Sequence, residues 1–151
     1  MENYDSKKDT ELHIETVDLY LNIISSLLKD RGLVHDKSKL EEPEKSEFDR
    51  LTPKLKSLTY GSEEYKESLK DLGVALEHHY KNNSHHPEHY ENGIDGFDLL
   101  DLIEMFCDWK AATRRMDNGD LSKSIEINKI RFNMSEQLVS IFKNTKERLS
   151  W

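Results

Sequence analysis

The segment from about Phe97 to Met116 constrains the fold more than any other part of the chain. It holds Leu99, Leu100, Leu102, Ile103, Met105, Phe106, Cys107 and Trp109, and a helix this apolar is stable only when other elements cover it. Through it runs an acidic line, Asp101, Glu104 and Asp108, at the three- and four-residue steps that place side chains on one helical face. That line has two readings. It is the wet side of an amphipathic helix, or it carries carboxylates into an interior where each needs a partner or a cation. Cys107 is the only cysteine, so no intrachain disulfide or multi-cysteine zinc site can form. Its apolar neighbours make it a core residue rather than a nucleophile. Asn118-Gly119 is expected to close the helix.

Other segments repeat the helical period. From Thr10 to Arg31, Val17, Tyr20, Ile23, Ile24, Leu27 and Leu28 form one stripe, predicting a helix that ends at Gly32. His13 lies four residues before Val17, on the same face, and is expected to point inward. A short second helix is predicted to stop near Glu42-Pro43, followed by a helical piece over Glu44 to Leu58 interrupted by Pro53. Ser62 reads as the N-cap of a third helix, from Glu63 to about Tyr80. In that helix Leu69, Leu72, Leu76 and His79 share the apolar face, while His78 lies about 100° away and is expected to be exposed. A last helix is predicted from Ser122 to Leu149, with Ile127, Ile130, Met134, Leu138 and Ile141 on one stripe. No segment alternates like a strand, and no glycine-rich phosphate loop is present. The 151 residues are therefore expected to form an all-α single domain over 1–151, with a core at about 10–149, as a bundle of five or six helices.

The formal charge of -8 argues against general nucleic-acid binding, which needs a basic surface, but allows a local basic pocket for a small phosphate. The first residues lack the apolar core of a secretory signal, and no apolar run approaches the roughly 20 residues that span a bilayer. A cytoplasmic protein without a membrane partner is expected. The acidic charge and the long last helix permit a homodimer.

Five of the seven histidines fall between His78 and His89. Such a tract is a solvated loop with adventitious metal affinity, or part of a built site. The rest of the chain supplies matching ligand types, in the order His13, His35-Asp36, His79, His85-His86 and Asp108. Imidazole and carboxylate together suit zinc, manganese or iron. Helices packed as a bundle can bring such residues to one interior point. Lys39, three residues after Asp36, is placed to meet a phosphate held there.

This order resembles that of the HD-domain metal-dependent phosphohydrolases. The resemblance implies an all-helical fold in which His13, His35, Asp36 and Asp108 hold a first ion, with His79, His85 and His86 completing a second site. The run His85-His86-Pro87-Glu88-His89-Tyr90-Glu91-Asn92-Gly93 looks like the His-His-Glu loop of the cyclic-dinucleotide phosphodiesterase branch. Gly93-Ile94-Asp95-Gly96, however, stands where that branch carries Gly-Tyr-Pro. Lys37-Ser38-Lys39-Leu40 and the run from Glu104 to Ala112 look like a group of small HD-like proteins of bacteria and their phages. The implied activity is hydrolysis of a phosphorylated substrate, foremost a nucleotide, by water activated on one or two divalent ions (Mn, Fe, Zn, Co or Mg). Asp36, Lys39 and Glu104 are the expected catalytic residues, and Lys39, Glu88 and His89 the expected substrate contacts. The alternatives are a nucleotide-sequestering protein with little turnover, a di-iron oxygenase on the same fold, and a scaffold module whose histidines do not cluster.

Overall fold

A computed structural model describes residues 4–115 and 119–151. Among them the chain forms seven α-helices, three short 3-10 turns and no strand. The helices are α1 (Lys7–Val34), α2 (Glu44–Lys56), α3 (Glu63–Lys70), α4 (Val74–Asn82), α5 (Leu99–Thr113), α6 (Leu121–Arg131) and α7 (Glu136–Arg148). The all-helical class is as the periodicity predicts, with seven helices in place of five or six. The chain divides at Val34 into a first unit that contains α1 and a second unit, His35–Trp151.

Helix α1 runs through Gly32 to Val34, since one glycine costs a helix only about 1 kcal/mol. None of its residues is buried. Val17, Tyr20, Ile23, Ile24 and Leu27 are exposed, and so is His13, which was expected to point inward. Periodicity identifies residues that share a face, and says nothing of what covers that face.

In the second unit the core is built where α5 meets α6 and α7. Met105, Phe106 and Trp109 pack with Leu121, Ile125, Met134, Val139 and Phe142, and Phe106 stacks on Phe142 with ring centroids 5.0 Å apart. Helix α5 starts at Leu99 because the Asp98 side chain accepts hydrogen bonds from the amides of Leu100 and Asp101, satisfying donors that have no partner inside the helix. Only one side of α5 enters this core. Leu99 and Ile103 are exposed, and Cys107, one further turn along the same face, is exposed with them rather than in the core. Asn118 and Met116, expected to end this helix, lie outside the described residues.

Three further boundaries differ from the sequence reading. The helix expected over Glu63 to Tyr80 begins as predicted, with Ser62 Oγ accepting from the Tyr65 amide, but breaks at Gly73, whose backbone lies at φ 47, ψ -120. The helix expected over Ser122 to Leu149 breaks between Arg131 and Glu136, where Asn133 takes φ 49 and Ser135 caps α7. Pro53 sits inside a continuous α2 rather than interrupting it. No helix among the described residues is long and apolar enough to cross a membrane.

Gly73 has open space where a side chain would start, so only backbone strain opposes a substitution there. Gly73→Ala is expected to lower the unfolding free energy by about 1–3 kcal/mol, read as a shift of the urea midpoint at unchanged m-value. The control is Gly32→Ala, where the backbone is helical and the added methyl meets nothing. It is expected to raise helicity measured by circular dichroism.

Candidate metal centre

The histidine-rich loop is fastened to α5 by a buried carboxylate. Asp101 accepts a hydrogen bond from Ser84 Oγ at 2.6 Å and from the Tyr90 hydroxyl at 2.7 Å. The segment carrying His85 and His86 is thereby held at both ends, and Pro87 opens a 3-10 turn as its position predicts. On the other side, Asp36 occupies a left-handed conformation, φ 56, at the start of the turn Lys37–Leu40. Aspartate tolerates that region better than most residues because its short polar side chain can bond locally.

Two groups of ligand atoms converge among the described residues. The first joins Asp36, His79, His85 and His86, and the second His35, His85 and Asp108. In the first, Asp36 Oδ1 lies 3.4 Å from His79 Nε2 and 3.5 Å from His85 Nε2. His79 Nε2 and His86 Nε2 are 2.9 Å apart. Ligands bound at about 2.0–2.1 Å around a tetrahedral ion stand about 3.3–3.4 Å from one another, which the two spacings from Asp36 match, while the two imidazole nitrogens stand closer, at hydrogen-bond distance. Asp36 Oδ1 and His85 Nε2 are buried without any hydrogen-bond partner. Buried polar atoms are nearly always satisfied, and a carboxylate oxygen facing three imidazole nitrogens has a natural partner in a metal ion.

In the second group, His35 Nε2 lies 3.6 Å from Asp36 Oδ2 and 3.6 Å from Asp108 Oδ1. The two oxygens of Asp36 thus face different groups. Oδ2 also accepts a 2.6 Å hydrogen bond from Lys39 Nζ.

Two carboxylates fix the direction of the rings. Glu104 Oε1 accepts from His35 Nδ1 at 2.8 Å and lies 3.1 Å from His85 Nδ1. Glu44, completely buried, accepts from His79 Nδ1 at 2.9 Å, His78 Nδ1 at 2.7 Å and Ser38 Oγ at 3.0 Å. A carboxylate oxygen accepts, so His35, His78 and His79 donate through Nδ1, and His35, His79 and His85 turn Nε2 toward Asp36. This pairing of carboxylate and histidine is what orients imidazoles on metals. Because Nδ1 of His85 is committed to Glu104, its Nε2 can serve only one of the two groups.

Protonation divides the cluster in the same way. Burial, reinforced by His85 and His79, pushes His86 down to about 2. Burial and then Lys39 also lower His79, so both rings are neutral, as metal ligands must be. His35 behaves oppositely: Asp108, with Glu104 next, raises it to about 10 against the effect of burial. Burial pushes the Asp36 carboxyl upward, but the charge and hydrogen bond of Lys39 outweigh it and hold the group at about 2.

The structure therefore brings His35, Asp36, Lys39, His79, His85, His86, Glu104 and Asp108 together. The acidic line of α5 is not its wet side, for Asp101 is buried and Glu104 and Asp108 face the histidines. His13 belongs to the first unit. Glu88 and His89, expected at the substrate, are exposed and engaged elsewhere. Glu88 pairs with Arg131, and His89 Nδ1 donates to the Tyr80 carbonyl at 2.9 Å. Sequence reasoning missed Glu44, an acid at a helix start that reads as a partner for the helix dipole. It also missed Asn83, whose amide donates to Ser38 Oγ at 2.8 Å and to the His79 carbonyl at 2.8 Å. The available signal for Glu44 was the adjacent pair His78-His79, of which both rings reach it.

A cavity of about 800 Å³ opens beside the cluster, with Lys39, His79, His86 and Asp108 on its wall. No curated protein and no solved structure matches the chain. Residues 2–149 match the family of unknown function DUF5662, and the chain belongs to that family.

Proposed function

We propose that this protein is a metal-dependent phosphohydrolase acting on a phosphate ester at the cluster centred on Asp36. The observation that carries the reading is the pair of buried acceptors, Asp36 Oδ1 and His85 Nε2, that have no donor among the described residues and face further imidazole nitrogens. His79, His85, His86 and Asp36 Oδ1 would hold one cation. His35, Asp108 and Asp36 Oδ2 would hold a second. The order of these residues, shared with the HD-domain phosphohydrolases it resembles, supports the same reading.

Bound divalent cations would supply Lewis acidity toward phosphoryl oxygens and acidify water to near-neutral pH. The chain's own residues account for the remainder. Asp36 ties the two groups together and stays ionised through Lys39. The Lys39 ammonium lies on the cavity wall, where it can neutralise phosphate charge as substrate enters. Glu104 orients the rings of His35 and His85 and is a positioning residue, as Glu44 is for His79.

Protein purified without chelator is expected to contain stoichiometric divalent metal by elemental analysis and to hydrolyse phosphate esters. Asp36→Ala is expected to lose both metal and activity. Lys39→Ala is expected to retain metal and lose kcat by about 10²–10³-fold. Metal-free wild-type protein together with unchanged metal affinity in Asp36→Ala would remove the proposal.

Metal uptake should also depend on pH in two steps. His79 and His86 have no proton to lose, whereas His35, raised to about 10, must give up a proton to bind through Nε2. Affinity for the first ion is expected to change less steeply with pH than affinity for the second. Affinity for the second is expected to rise about tenfold per unit of pH. Calorimetry in buffers of different protonation heat should find about one proton released at the second step, and a second step without proton release would contradict the assignment of His35.

A further inference from the structure

The cavity beside the cluster is walled by a larger share of the aromatic side chains than chance would place there. Half of the tyrosines, Tyr60, Tyr65 and Tyr80, line it together with Trp109, one of two tryptophans, and Phe48 and Phe132, two of five phenylalanines. Leu69, Leu72 and Leu76 add an aliphatic stripe from α3, α4 and the turn between them. At about 800 Å³ it lies in the upper part of the range of about 300–1,000 Å³ that holds drug-sized ligands.

Two of its three tyrosine hydroxyls and one of its arginines are already engaged within the protein. The Tyr80 hydroxyl accepts from Arg131 at 3.1 Å, Arg131 is paired with Glu88, and the Tyr60 hydroxyl meets Asn128 at 3.4 Å. Charge on the wall is biased the other way from the chain. Lys39, Lys56, Arg115, Lys123 and Arg131 face it against Asp49, Asp108 and Asp120, although the whole chain carries -8. An anionic head with an apolar body matches such a wall, whose area is largely aromatic and aliphatic and whose charge is biased to cations.

From this we infer that the substrate is a phosphate ester of a bulky apolar alcohol, its phosphate at the metal cluster and its organic body in the cavity. The inference rests on the phosphohydrolase reading of the same cluster. In the reaction, water oxygen bonds to phosphorus, the bond from phosphorus to the ester oxygen breaks, and a water proton passes to the leaving alkoxide. The products are the free alcohol and inorganic phosphate.

The test compares primary phosphate monoesters with similar leaving groups on full-length, manganese-loaded protein: ethyl phosphate, 2-(2-naphthyl)ethyl phosphate and adenosine 5′-monophosphate. The naphthyl ester is expected to show a KM at least about 30-fold below the other two, and its non-hydrolysable phosphonate to bind by calorimetry with the same preference over ethylphosphonate. Leu69→Trp on α3 and Ala112→Leu on α5, both on the wall, should each narrow that ratio to below about threefold. The wild-type comparison decides the question even if either variant fails to fold. Equal KM for all three esters overturns the inference and leaves the hydrolase reading standing, and tightest binding of the nucleotide likewise overturns it. Tight naphthyl phosphonate binding without hydrolysis of any ester supports the cavity's ligand class and overturns the hydrolase reading.

Discussion

Asp36 Oδ1 is a carboxylate oxygen buried against imidazoles with no donor of its own, and the local structure of the second unit is arranged around that fact. Taking an ionised carboxylate out of water is costly unless charge is supplied nearby. Lys39 supplies part of it through Oδ2 at 2.6 Å, which keeps the group ionised but leaves Oδ1 unmatched. The left-handed backbone at Asp36 aims the side chain so that its two oxygens meet different neighbours. Strain of that kind persists where the surroundings over-determine it, and it concentrates at functional sites.

Around Asp36 three other carboxylates act by position rather than by contact with a reacting group. Glu104 collects the Nδ1 atoms of His35 and His85, Glu44 does the same for His79 and His78, and Asp101 clamps the loop between them. Each fixes a side-chain direction that a long-range fold alone would leave to rotamer choice. The consequence is a cluster in which neutral His79 and His86 stand ready for a cation, whereas His35 holds a proton under the influence of Asp108 and Glu104. The two groups of ligand atoms therefore differ in protonation, one holding neutral imidazoles and the other a protonated His35.

Much of this was legible in the sequence because it depends on residue type and helical spacing. The adjacent His35-Asp36 pair, the two histidines after α4 and the acid at Asp108 carry ligand chemistry wherever they fall, and the structure places them together. The apolar run over Leu99 to Trp109 identified a packed helix, although the spacing of Leu99, Ile103 and Cys107 could not reveal that this face stays exposed. The break at Gly73 was hidden because Leu72 and Leu76 keep helical spacing across it, while the decisive quantity is a backbone angle. Glu44 was hidden for a related reason. An acid at a helix start already has a local explanation in the helix dipole, and only tertiary packing brings two imidazoles onto it.

The central claim is that the two oxygens of Asp36 hold neighbouring divalent cations. Anomalous X-ray diffraction from crystals soaked in manganese at about pH 8.5 tests it most directly, at a pH chosen to favour deprotonation of His35. Two peaks are predicted, one bounded by His79, His85 and His86 and the other by His35 and Asp108, with Asp36 between them. Strong manganese sites elsewhere and none at Asp36 would contradict the account.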